Sequence, residues 1–260
     1  MKPKTESFLN FLLWSTDKLF NPTFRKLTDS YEAWAYRNDL LRQVVTLEER
    51  QLVERNPASP DDRMYRLTRQ GRLIALGGRD PQVQWARKWD GRWRLVLFDV
   101  PIARNAVHVK LWRYLRDRGF GCLQNSVWIT PDPLDKERRI FGDGKIDVES
   151  LILLDARPCA GESDAEIVAG AWDFERINRC YARHLKVLGE KPVGALGNEV
   201  EAKALLGWAA AEHETWLEAV TSDPLLPEKI LPADYLGQRA WRRRVEVFQE
   251  AGRQVRAFSP

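Results

Sequence analysis

The chain is poor in the residues that most metal and redox chemistry requires. Its 260 residues include 3 cysteines, 3 histidines and 2 methionines. Cys122, Cys159 and Cys180 stand far apart, form no CxxC pair and sit in apolar patterns. They are expected to be buried free thiols in a reducing compartment, with no disulfide framework. Three scattered histidines make no zinc signature. No apolar stretch approaches the ~18 residues of a spanning helix, so no membrane contact is expected. The opening MKPKTESFLNFLLWSTDKLF has a short apolar run cut by Asn10 and no small-residue cleavage site. It reads as an amphipathic helix rather than a signal peptide. GxSxG, a Gly-rich phosphate loop and HExxH are all missing. The expectation is a cytoplasmic protein with no catalytic residue, no metal and no cofactor.

What is present favours packed domains. Apolar residues make up 44% of the chain and 11 tryptophans are available for cores. The length suits two or three units of about 100–150 residues each. Charge is unevenly spread: residues 1–90 hold 16 basic and 12 acidic residues, 91–130 hold 7 and 2, and 131–260 hold 18 and 23. A basic front and an acidic back point to a polyanion meeting one end.

Periodicity predicts helices over 5–20 and from Pro22 through Trp34, then a third starting near Asn38 or Asp39 and running through LLRQVVTLEERQLV. Two β-prone pieces, Leu52–Arg55 and Met64–Leu67, flank a Pro/Ser/Asp turn cluster. Three helices followed by a β-hairpin is the order of a winged helix-turn-helix, whose third helix enters the major groove. Arg37, Arg42, Gln43 and Thr46 on that helix are the candidate base readers, and Arg55, Arg63 and Arg66 on the wing are candidate phosphate partners. Glu48, Glu49, Asp61 and Asp62 lie close by and oppose such binding.

Residues 1–80 are thus a DNA-binding head and 81–91 a linker in which Trp85 and Trp89 are expected to dock domains. Residues 92–160 read βαββαβ: the strand WRLVLFDV, the helix AVHVKLWRYLRDRGF, a hairpin of GCL and SVWIT, the helix LDKERRIFGDG and the strand VESLILLDA. That order predicts a ferredoxin-like sandwich. Residues 161–260 are helical, with a proline-punctuated SDPLLPEKILPADYLG that cannot be one helix. The Arg242–Arg244 run in the last helix reads as a solvated face. The fold class is α+β.

Three segments resemble the PaaX-like family of bacterial transcriptional regulators. They are WDGRWRLVLFDVP with KLWRYLRDRGFGCLQNSVWITP, then AWDFERINRCYARHL, and then DPLLPEKILPADYLG preceded by HE at 213–214. The resemblance implies a winged-helix head, a ferredoxin-like middle and a helical end, working as a homodimer on a double-stranded operator. It also implies repression relieved by an aryl-acyl-CoA, such as phenylacetyl-CoA. Such an effector needs cations for its phosphates, for which Arg92, Arg94 and Lys110 are candidates. Its acyl group needs an apolar cleft, for which Trp112, Trp128, Trp172 and Trp216 are candidates, and His213 joins them because the resemblance covers it. The head departs from the family pattern. Two expected arginine positions are Leu41 and Thr46, and the turn glycine is Gln51, whereas YRLTRQGR at 65–72 does match.

The middle domain also resembles the small ferredoxin-like subunit of the CRISPR adaptation complex, in which an Asp ends the first strand as Asp99 does here. Two alternatives to a repressor therefore stay open: a metal-dependent nuclease using Asp99, and a non-catalytic assembly protein. A magnesium site would need further ligands around Asp99, and Asp117 and Asp132 are the nearby carboxylates. Otherwise Asp99 only finishes the strand by accepting backbone N–H bonds in the Pro101 turn.

Overall fold

The computed structural model describes residues 40–55, 65–99, 105–124, 126–142, 150–194 and 199–256. The helices expected over 5–20 and 22–34 lie outside them. The chain divides into two compact units. One holds the chain up to Asp80 with Arg179–Val220 and everything from Leu236 onward; the other holds Pro81–Asn178 and Thr221–Tyr235.

In the first unit α1 (Leu40–Glu49) ends where Leu52 donates its N–H to the Leu47 carbonyl at 2.9 Å. Gln51 makes that turn at φ 57°, the left-handed region that favours glycine. The chain continues as β1 (Val53–Arg55), which pairs antiparallel with β2 (Tyr65–Leu67), Val53 opposite Leu67. Thr68 then caps α2 (Arg69–Ala75): its hydroxyl accepts from the Gly71 N–H at 3.0 Å and donates to the Gln51 carbonyl at 2.7 Å. A Cβ on Gly71 would lie 1.9 Å from the Leu52 carbonyl oxygen, so only glycine lets α2 approach this turn. The guanidinium of Arg79 donates to the Val220 carbonyl at 3.0 Å, tying the chain after α2 to a C-terminal helix within this unit.

The second unit opens with α3 (Pro81–Trp85) and contains β3 (Trp93–Asp99), α4 (Asn105–Asp117), β4 (Gly121–Gln124), β5 (Val127–Thr130), α5 (Asp135–Gly142) and β6 (Ser150–Ala156). This is the expected βαββαβ order. All pairs are antiparallel and the spatial order is β4-β5-β3-β6. β3 is central, with Val96 opposite both Trp128 and Leu153. Because side chains alternate across a strand, one face carries Val96, Phe98, Trp128, Leu151 and Leu153. These pack on Leu111 and Leu115 of α4 and on Leu134 to form the core. The other face carries Trp93, Leu95, Leu97, Ile129, Ile152 and Leu154. At the β4 side it is covered by Ala171 and Trp172, which fill the space beside Gly121. At the β6 side it is open: Ile152 is 50% and Leu154 45% exposed.

After Ser163, whose hydroxyl forms a capping box with Glu166, come α6 (Asp164–Ala171), α7 (Phe174–Gly189) and α8 (Glu199–Ser222). A 3₁₀ turn at Glu228–Ile230 and α9 (Gly237–Arg256) complete the described chain. Each long helix buries one stripe. On α8 it is Leu205, Trp208, Ala209, Glu212, His213, Trp216, Ala219 and Val220; on α9 it is Ala240, Trp241, Arg244, Val247, Phe248 and Ala251.

Two expectations need correction. Arg242 and Arg243 are exposed, but Arg244 is 0% exposed, because it falls on the inward stripe of α9. Of the three free thiols only Cys180 is buried. Cys122 is half-buried and Cys159 is exposed, because it sits in the irregular stretch after β6 rather than on a packed element.

Candidate DNA-binding head and effector-binding residues

The stretch expected to read bases contains the helix α1, and the two pieces expected as a wing pair antiparallel as β1 and β2. Arg37 and Arg63 lie outside the described residues. Only the backbone is described for Arg42, Gln43, Arg55 and Arg66, while Thr46 is half-buried in the last turns of α1. Arg42, Gln43 and Thr46 share α1 with the buried Leu47. Arg55 and Arg66 lie on paired strands one register apart, Glu54 facing Arg66 and Arg55 facing Tyr65.

The effector candidates divide between the units. Arg92, Arg94, Lys110, Trp112, Trp128 and Trp172 belong to the second, and His213 and Trp216 to the first. Within the second unit Arg94 is almost wholly buried and its guanidinium is taken up by the protein itself. It meets both carboxylate oxygens of Asp90 at 2.8 and 2.5 Å, donates to the Pro131 carbonyl at 3.0 Å and lies 3.5 Å from Asp155. Arg94 holds the Asp90 carboxyl below its usual range by hydrogen bonding. Arg92 is exposed, 3.8 Å from Asp155 on its other side. Lys110 is exposed on α4. Trp112 and Trp128 meet edge to face at 5.5 Å under α4. Trp172 is on the opposite face of the sheet, its indole N–H donating to the Gly119 carbonyl at 3.0 Å and its ring 6.1 Å from Trp93. Trp93 in turn stacks with Trp89 at 5.3 Å and donates to Asp164 at 2.8 Å. Trp112 and Trp128 therefore do not line one cleft with Trp172.

Also in the second unit, the stretch from Asp223 to Tyr235 builds a polar knot around the buried Asp223. Tyr235 donates its hydroxyl to Asp223 at 2.5 Å and accepts from the Trp85 indole at 3.1 Å. The other Asp223 oxygen accepts the Leu225 N–H at 2.7 Å, holding Leu225 at φ 52°. Arg87 donates to the Leu225 carbonyl and forms a two-pronged bridge to Asp132, at 2.7 and 3.0 Å. Asp132 is thereby committed to Arg87. Asp99 stands opposite Ser150 at the end of β3, and the Pro101 turn lies outside the described residues. Among the described residues no group of three or more His, Cys, Asp and Glu is placed to hold a metal.

In the first unit His213 and Trp216 lie in a buried charged cluster that residue-by-residue reading did not find. Arg244 donates to Glu212 at 2.6 Å, and both are 0% exposed. The Arg244 guanidinium lies over Trp216 at 4.4 Å, and His184 is 5.4 Å from the same indole. The Thr215 hydroxyl donates to the carbonyls of Ala211 and Glu212, each 3.0 Å away, and lies 3.1 Å from Nδ1 of His184. Burial first, then the Arg244 charge, pushes His184 down to about 3 and His213 to about 4. Both rings are neutral at pH 7. The signal was in the sequence: Glu212, His213 and Arg244 occupy positions on otherwise apolar helical stripes.

Two family models cover the second and last thirds of this architecture. The central Cas2-like domain of the PaaX protein matches residues 86–168, and the PaaX-like protein C-terminal domain matches residues 172–259. The chain belongs to the PaaX-like family. The Cas2-like match falls on the βαββαβ sheet, and the PaaX C-terminal match falls on the helices that carry the buried Glu212–Arg244 pair. Among solved structures, the chain shares its fold with the uncharacterized protein Rv0674 from Mycobacterium tuberculosis. The TM-score is 0.54 at 20% identity, over 97% of each chain. No curated protein matches it.

Proposed function

We propose that the protein is a non-catalytic transcriptional repressor that binds a double-stranded operator as a homodimer and is released by an acyl-CoA-type effector such as phenylacetyl-CoA. The observation that carries this reading is PaaX-like membership over residues 86–259, joined to a head in which a helix is followed by an antiparallel hairpin. In this reading residues 1–80 are the head, 81–91 a linker, 92–160 the middle domain and 161–260 the effector or dimerisation domain. The open side of the sheet, with Leu95, Leu97, Ile152 and Leu154, supports self-association, since an apolar face of this kind is usually covered. No described helix is long and apolar enough to cross a membrane, which accords with a protein working on DNA in the cytoplasm.

Release requires that the effector favour one conformation over the other, because equal affinity for both shifts nothing. A tenfold loss of operator affinity corresponds to about 1.4 kcal/mol of such preference. Selection of genomic fragments on immobilised protein tests the reading: recovery of one or a few upstream regions supports it, and an unenriched pool contradicts it. Adding Mg²⁺ or Mn²⁺ to the recovered fragments separates the nuclease alternative, which requires cleavage that Asp99→Asn abolishes.

A further inference from the structure

The two helices of the ferredoxin-like unit present a basic outer surface that the proposed head does not use. On α4, Lys110, Arg113 and Arg116 are exposed, and their three-residue spacing sets them along one stripe about 9 Å long. On α5, Lys136, Arg138 and Arg139 are exposed as well. The two helices are neighbours on the same face of the sheet, since Tyr114 of α4 reaches Glu137 of α5 at 3.4 Å. Glu137, the carboxylate best placed to neutralise the surface, is buried beneath it, close to Tyr114 and 3.9 Å from Arg118. Arg116 rests on the Trp112 ring at 4.8 Å instead of on a carboxylate. None of the six cations forms an ion pair with another described residue, and the exposed acids on these helices are Asp117 and Asp135.

We infer that this surface is a second contact with duplex DNA, in which the cations of α4 and α5 meet phosphates outside the bases read by the head; the inference rests on the regulator reading above. Three features select this occupant. Four of the six cations are arginines, whose planar forks match phosphate oxygens in pairs. A stripe of about 9 Å spans two to three base-pair steps of one strand at about 3.4 Å each. The opposite face of the sheet is apolar, so the unit separates a surface suited to a polyanion from one suited to protein.

Backbone contact is independent of sequence, so the test needs no known operator. Affinity for a long random-sequence duplex is measured against salt for three proteins. These are the wild type, the helix triple R113Q/R116Q/R139Q, and a control triple R176Q/R239Q/R242Q, which removes the same charge at exposed positions elsewhere. Each lost phosphate contact lowers the slope of log affinity against log salt by about one. The helix triple is expected to lose about two to three from its slope and at least tenfold in low-salt affinity, while the control stays near wild type. Equal slopes for the two triples overturn the inference and leave the head reading intact. A wild type with no salt-dependent DNA affinity overturns both. Binding to vesicles of equal phosphatidylserine and phosphatidylcholine, lost in the helix triple while its duplex slope is unchanged, assigns the surface to a membrane and overturns the inference. Thermal melts of both triples check folding, and K136Q/R138Q on α5 repeats the test should the triple melt early.

Discussion

Arg244 and Glu212 form an ion pair at 2.6 Å with neither side chain reaching solvent. The pair joins α9 to α8, and its guanidinium is sandwiched between Trp216 and Phe248, 4.4 and 5.3 Å from their ring centres. Burial alone pulls Arg244 below its ordinary value, and Glu212 pulls it back. Breaking such a pair leaves an uncompensated buried charge, whereas replacing both partners removes the problem. Arg244→Met or Glu212→Gln alone should therefore cost about 3–5 kcal/mol in urea unfolding. The double variant should recover much of the loss.

The histidines beside this pair give stability a pH dependence of definite sign. In the unfolded chain both titrate near 6.5; in the fold His184 is at about 3 and His213 at about 4. Their folded values are depressed, so below pH 6.5 the unfolded state binds more protons than the native one. The contribution is complete above that pH and is lost as pH falls toward the folded values. Each histidine should take away about 1.4 kcal/mol per pH unit between about 6 and 4. Stability curves of wild type and H184Q/H213Q should diverge in slope over that window and run parallel above pH 7.

Much of this organisation is legible in the sequence, for reasons that differ by element. The βαββαβ unit could be read because its strands are compact apolar runs and its helices repeat at the right period. The hairpin of the head could be read from its turn cluster. Arg244 was hidden because three consecutive arginines suggest a solvated face, although Trp241, Val247 and Phe248 already mark the inward stripe. The carboxylates around Arg94 were hidden for another reason. Asp90 is four residues away, but Asp155 reaches it only through the pairing of β3 with β6, which depends on register. Cys159 shows the reverse error, an apolar neighbourhood in sequence that belongs to an irregular, exposed stretch.

Gln51 pays for the turn that a glycine would make without strain, since it holds φ 57° between α1 and β1. Non-glycine residues lose about 1 kcal/mol or more in that region. Gln51→Gly should stabilise the protein by roughly 0.5–1 kcal/mol in thermal unfolding, the remainder being offset by the entropy glycine gains when unfolded. A loss of stability would mean that the Gln51 side chain has an anchoring role.

Tyr235 is both donor to Asp223 and acceptor from Trp85. Tyr235→Phe keeps the ring contacts with Trp85 and Phe174 but strips a buried carboxylate of one donor. The expected cost is about 1–3 kcal/mol by denaturant unfolding. Asp223→Asn should cost less, because its amide still offers an oxygen to Leu225.

The measurement that tests the central claim most directly is fluorescence anisotropy on the DNA upstream of the protein's own gene. It is run against scrambled DNA at two salt concentrations, with and without phenylacetyl-CoA, for wild type and Arg42→Ala. The account predicts a preference for the upstream fragment that Arg42→Ala weakens by roughly 1–3 kcal/mol and that the thioester abolishes. Equal, salt-insensitive affinity for upstream, scrambled and selected genomic DNA would contradict it.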